Sequence, residues 1–287
     1  MRRSTMARTA WSSAFSHTTR EADEEGGLSR VLSPCIEWLF ADGGRPFSER
    51  VHVAAAAGFT RIEFWTVRDR DVTELERAIR KTYVTVTAFV SEPTGQLVDP
   101  STHAEFLAGV ERSSALASRL NAKNLIVVSG DARRGIDEKL QHDAIAGALR
   151  LAAPIASQAG IGLLLEPLNS RVDHQGHYLD STVEALALIR EVNHPAVRLL
   201  YDMYHSIVMD EDPGQVLSGA GALVGHVHIA DVPGRHEPGT GGVDWTRQLV
   251  ALGSAGYSGP LGLEYMPSRD TESSLMFIRE VVEGEEP

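Results

Sequence analysis

The chain has one cysteine, Cys35, so it cannot form an intrachain disulfide, and a reducing compartment is its expected setting. Cys35 lies in the apolar run VLSPCIEWLF, which marks it as a core thiol rather than a nucleophile. No uninterrupted apolar run approaches the ~20 residues of a membrane-spanning helix. A cytoplasmic protein with no membrane partner is therefore expected. Positive charge is also short: 27 Lys and Arg stand against 39 Asp and Glu, a formal net charge of −12. That balance lacks the basic footprint of a non-specific nucleic-acid binder. It leaves anionic small substrates open, because a local arginine or metal ion can reverse the field inside a cleft. The remaining composition, 43% hydrophobic and 23% charged, is that of a globular protein with a sizeable core.

Residues 1–30 are polar and small, without hydrophobic periodicity, and TAWSSAF is too short and polar for the apolar centre of an export signal. A disordered N-terminal extension is expected there. From residue 31 to 287, short β-branched or apolar runs alternate with amphipathic stretches. The strand candidates are VLSPCIEWLF, RIEFW, TVTAFV, NLIVV, IGLLLE, VRLLYD, LVGHVHIA and PLGLE. Ser48, Ser101 and Asp180 are candidate helix N-caps, and Gly58, Gly160 and Gly256 candidate helix ends. Strand–helix alternation of this kind implies parallel β–α units. An open nucleotide-binding sheet would carry a glycine-rich turn after its first strand. FADGGRP has neither GxGxxG spacing nor a Walker lysine. A single-domain α/β protein, a (β/α)8 TIM barrel over residues 31–287, is expected.

A barrel places its chemistry at the carboxyl ends of the strands. There IGLLLEPLN carries Glu166, VRLLYDMYH carries Asp202, LVGHVHIAD carries His228, and PLGLEYMP carries Glu264. Carboxylates with an imidazole suit a divalent metal such as Mn²⁺, Mg²⁺, Co²⁺ or Zn²⁺, and the lack of cysteine ligands argues against a closed structural zinc site. His226 shares a strand face with His228 and reads as a satisfied core histidine one layer deeper. His205, three residues after Asp202, can donate to a substrate oxygen or orient a ligand. Arg235 can hold a substrate carboxylate through a bidentate contact. Glu37 and Glu63 are further acids near the expected barrel mouth, with no role assigned.

LLLEPLN, YDMYH, GHVHIADVPGRHEPGTG and LGLEYMP, in that order and spacing, resemble the hydroxypyruvate isomerase family. That family lies within the wider xylose-isomerase-like barrels, which include ketose 3-epimerases and endonuclease IV. The resemblance implies one divalent metal ion, Mn²⁺, Mg²⁺ or Co²⁺, on Glu166, Asp202, His228 and Glu264. It also implies that Glu166 and Glu264 form the acid–base pair, and that the chain assembles as a dimer or tetramer. The implied reaction interconverts hydroxypyruvate and tartronate semialdehyde, a small hydroxy-carbonyl substrate. Two positions depart from the family: His228 stands where its members usually have glutamine, and GTGGVDW replaces GTGEINY. Epimerisation at C3 of a free ketose is therefore the runner-up. A metal-dependent lyase or dehydratase acting on a polyol and a non-catalytic barrel are further alternatives.

Overall fold

Every expected strand forms, and each is buried because helices cover it outside and the barrel interior covers it inside. The computed structural model describes residues 30–94 and 96–283; the extension expected over residues 1–30 lies outside them, apart from Arg30. The first half of the chain runs β1 (Leu32–Pro34), α1 (Phe47–Ala56), β2 (Arg61–Ile62), α2 (Val72–Thr82), β3 (Thr85–Val90), α3 (His103–Arg119), β4 (Ala122–Val127) and α4 (Glu138–Gln158). The second half runs β5 (Gly162–Leu165), α5 (Thr182–Val192), β6 (Val197–Asp202), α6 (Met203–Val208), α7 (Pro213–Val216), β7 (Val224–Ile229), α8 (Trp245–Ser254), β8 (Leu261–Leu263) and α9 (Thr271–Glu283).

The eight strands are parallel and pair in chain order, and β8 pairs with β1. The ring closes just past β1 and β2, where Glu63 N donates to Pro34 O at 3.0 Å and Ile36 N donates to Glu63 O at 2.9 Å. This is a TIM barrel. Most of the core lies between sheet and helices, including Phe64, Phe89, Leu163 and Leu165. A smaller cluster of Ala88, Ile126, Leu164 and Leu200 lies inside the ring of strands. Cys35 is buried, and burial, reinforced by the Glu264 and Glu63 charges, pushes its thiol well up, as an inert core group requires.

The helix starts differ from the sequence expectation. α1 begins after Pro46 with no side-chain cap, so Ser48 falls inside its first turn. Ser101 sits within a 3-10 turn that Asp99 caps, and α5 is capped by Ser181 rather than Asp180, whose carboxylate accepts from Ser170. A cap needs extended backbone at the entry to the helix, and the preceding loop's packing decides which neighbouring polar residue has it. Gly58, Gly160 and Gly256 do take left-handed φ, at 91°, 72° and 88°.

Candidate active site

Strand register brings four sequence-distant side chains together. Asp202, the last residue of β6, lies opposite His228 of β7, and His228 lies opposite Gly262 of β8, two residues before Glu264. Glu166 follows β5 directly. One ligand atom from each of Glu166, Asp202, His228 and Glu264 lies within 4.8 Å of the others, and all four residues are buried. His228 Nδ1 is the hub, 3.1 Å from Glu264 Oε2, 3.7 Å from Glu166 Oε1 and 3.9 Å from Asp202 Oδ2. Asp202 divides its work: Oδ1 caps α6 by accepting from Tyr204 N at 2.7 Å and His205 N at 3.2 Å, leaving Oδ2 for the cluster.

The two glutamates stand in opposite fields. Burial alone would raise the Glu264 pKa, but the His228 and Arg235 charges outweigh it and hold the carboxyl well below its usual range. Trp65 Nε1 donates to Glu264 Oε1 at 2.5 Å, and Arg235 Nη2 meets Oε2 at 2.5 Å. Burial and then the neighbouring Glu264 charge push Glu166 up to about 8. Burial raises Asp202 to about 6 against the pull of Arg235. It also disfavours the His228 imidazolium, yet Glu264 and Glu63 hold that pKa well above the usual value.

A cavity of about 800 Å³ opens above this cluster, lined by Glu166, Glu264, His205 and Arg235 and walled by Trp38 and Trp65. His205 is buried, and its Nδ1 accepts from the Asn169 backbone N–H at 3.1 Å and from Asn169 Nδ2 at 2.6 Å. Its proton therefore sits on Nε2, 3.6 Å from Asp202 Oδ2. Burial, helped by the Arg235 charge, holds its pKa well below the usual value, so His205 is a neutral donor. Arg235 is not turned wholly toward the cavity. It spans Glu264 and Asp202, the latter at 3.3 Å, over the Tyr204 ring at 4.8 Å, while its Nε makes no hydrogen bond.

Sequence reasoning named no role for several supporting residues. Trp65, the last residue of the strand candidate RIEFW, and Asn169, the last residue of LLLEPLN, carry no local signal of a role. Asp231, inside IADVPGRHEPGTG, proves to be the anchor of the whole loop. Fully buried, it accepts from Gly239 N at 2.7 Å, Val232 N at 2.8 Å, Trp245 Nε1 at 3.1 Å and Val243 N at 3.2 Å. A loop acid followed by several glycines, each leaving a backbone N–H accessible, was the available signal. Glu237 secures the same loop to the β8 exit, accepting from Ser268 Oγ at 2.6 Å. Glu37 faces away from the cluster and pairs with Arg70 at 2.9 Å. His226 is a core histidine, with Nε2 2.7 Å from Glu63 Oε2.

Three carboxylates and one imidazole nitrogen are donors of the right hardness for a divalent ion. The decisive detail is His228 Nδ1, which is buried and, despite its near neighbours, oriented so that it makes no hydrogen bond. Such an atom, within 3.9 Å of three carboxylate oxygens, fits a metal ligand. The chain's lysines, Lys81, Lys123 and Lys139, are absent from the cavity lining, so no amine stands ready there for Schiff-base chemistry.

Residues 51–281 match the xylose isomerase-like TIM barrel family. The chain belongs to that family. Its relatives include the hydroxypyruvate isomerase of Escherichia coli (strain K12), 29% identical over 86% of this chain and 97% of the relative. The 2-oxo-tetronate isomerase of Cupriavidus necator is 27% identical over 81% of this chain and 92% of the relative. Among solved structures, one from Brucella melitensis described as an AP endonuclease, family 2, superposes with a TM-score of 0.80 at 31% identity. The match covers 87% of this chain and 98% of that one. Within this xylose isomerase-like barrel, no described helix is long and apolar enough to cross a membrane.

Proposed function

We propose that this barrel is a divalent-metal-dependent isomerase of small 2-keto hydroxy acids, with hydroxypyruvate and tartronate semialdehyde as the reference pair. The observation that carries the reading is the buried cluster of Glu166, Asp202, His228 and Glu264, of which Glu166 and Glu264 line the cavity. The isomerase names of the two curated relatives support the reaction class. An ion held by these four residues would polarise the substrate carbonyl and stabilise negative charge on its oxygen.

The protein's own residues account for the proton movements. Glu264 starts ionised, held by Trp65 and Arg235, and takes the proton from the hydroxyl-bearing carbon. The electron pair left behind forms the carbon–carbon double bond of an enediolate. Glu166, the weaker acid, returns a proton to the neighbouring carbon, the proton leaving the first carbon's hydroxyl passes to the former carbonyl oxygen, and Glu264 and Glu166 regain their starting states by proton exchange with solvent. Atoms and electrons balance without any oxidant. His205 Nε2–H donates to a substrate oxygen, and Arg235, which lines the cavity, is the cation available to the substrate carboxylate.

The test is proton NMR in D₂O with the Mg²⁺-loaded protein and, separately, hydroxypyruvate and D-fructose. Deuterium entering hydroxypyruvate with appearance of tartronate semialdehyde, abolished by chelation and restored by Mg²⁺, is the expected result. Exchange confined to C3 of the ketose would replace this reading with epimerisation, which the imidazole ligand His228 favours. Metal-independent exchange would refute the site.

A further inference from the structure

We infer that Glu63, held by His226 in the space left by Gly262, is a positioning residue that keeps the His228 proton on Nε2 and its Nδ1 lone pair facing Glu166, Asp202 and Glu264. The inference rests on the metal-site reading above but concerns the layer beneath it. Glu63 is 2% exposed, His226 0% and His228 2%, so every polar atom among them must find its partner inside the barrel.

An ionised carboxylate can only accept hydrogen bonds. Oε2 of Glu63 accepts from His226 Nε2 at 2.7 Å. Oε1 lies 3.4 Å from His228 Nε2 without a formed hydrogen bond, and neither of these buried atoms has a hydrogen-bond partner elsewhere. The two rings stand edge to face, centroids 5.0 Å apart and planes at 89°, so each imidazole addresses its own carboxylate oxygen. With an acceptor beneath Nε2, His228 keeps that proton when a metal ion displaces the one on Nδ1, and Nδ1, within 3.9 Å of an oxygen of each of the three carboxylates, is left as the ligand nitrogen. The arrangement needs room. A Cβ on Gly262 would lie 2.3 Å from Glu63 Oε1, 2.5 Å from His228 Cδ2 and 2.8 Å from His226 Nε2. The same three side chains could otherwise be taken for a second metal site. The existing Glu63–His226 hydrogen bond and the complete burial, which leaves no open coordination position for water, favour the proton-holding role.

The experiment uses the full chain as wild type and as Glu63→Gln. Isothermal titration with Mn²⁺ measures affinity and stoichiometry, and ¹⁵N-imidazole NMR of the Zn²⁺-loaded wild type, assigned with His228→Gln, reads the tautomer. A glutamine has a single acceptor oxygen. If His226 keeps it, the amide NH₂ faces His228 Nε2 and drives the proton to Nδ1. Wild type should bind one Mn²⁺ per chain, and Glu63→Gln should bind about 10–100-fold more weakly. A slowly exchanging Nε2–H should appear for His228 in the wild type, a reading that does not depend on the variant folding. Equal Mn²⁺ affinity in wild type and Glu63→Gln would overturn the inference alone. So would a His228 proton on Nδ1, or two Mn²⁺ per wild-type chain falling to one in the variant. A wild-type chain that binds no Mn²⁺ would sink the metal reading and this inference together.

Discussion

Replacing Gly262 by alanine sets two effects of opposite sign against each other. Glycine in a strand interior ordinarily costs stability, so alanine should gain about 0.5–1 kcal/mol from the stiffer unfolded chain. At Gly262, however, the new methyl would stand 2.3–2.8 Å from Glu63, His228 and His226, and all three are buried in the barrel floor. Overpacking a core typically costs about 1–3 kcal/mol, and three simultaneous contacts put this site at the upper end. The clash wins by about 2 kcal/mol, which for a chain of this size lowers the melting temperature by roughly 4–8 °C. Displacing His228 by even a fraction of an ångström also disturbs the acid–base geometry, so kcat/KM should fall by about 10²-fold. Differential scanning calorimetry and steady-state kinetics on Gly262→Ala check both numbers. A melting temperature that rises would show that the barrel floor gives way freely, and the account of Glu63 and its neighbours would fail with it.

Glu166→Gln and Glu264→Gln should each lower turnover by about 10²–10⁴-fold while circular dichroism stays native, with near-wild-type turnover refuting the acid–base pair. Their metal-free stabilities should differ: Glu166→Gln removes an acid that burial already disfavours, whereas Glu264→Gln strips Arg235 and His228 of a buried partner and should melt lower. Arg235→Ala should impair acidic substrates more than neutral ketoses; an equal loss on both would make Arg235 a structural brace for Glu264. Asp231→Ala leaves several N–H donors of its loop unpaired and should cost about 3 kcal/mol or more in urea unfolding; a change under half of that would mean water replaces the carboxylate. His177 carries a pH signature: burial, with the His174 charge, lowers its pKa from 6.5 to about 4. A depressed histidine contributes stability that is intact above pH 6.5 and is lost as pH falls to 4, here about 3 kcal/mol in full. The stability difference between wild type and His177→Gln should shrink by that amount over the window, and a constant difference would remove His177 as the cause.

Local pattern along the chain is enough to specify the barrel and the strand-end residues that cluster at its mouth. Apolar runs alternating with amphipathic stretches leave parallel β–α units as the way to bury both faces of each strand, and β–α units closing on themselves aim strand-end side chains at one mouth. Glu166, Asp202, His228 and Glu264 were legible because each follows or ends its own local apolar run. The helix caps were less legible, since Ser181 and Asp180 are equally good caps until the loop chooses the backbone angles. The surroundings of the cluster come from contacts between strands far apart in the chain. Trp65 reaches Glu264 across 199 residues and His226 reaches Glu63 across 163, contacts that exist because the ring closes through β1 and lets side chains at the end of β2 meet those of β7 and β8. No periodicity encodes such a partner. Arg235 likewise reads as a free loop arginine in one dimension, but a left-handed backbone at φ 54° and the Asp231 anchor fold it back onto Asp202 and Glu264. Local pattern specifies which residues arrive at the mouth of the barrel; closure of the sheet specifies which charges and hydrogen bonds they meet there.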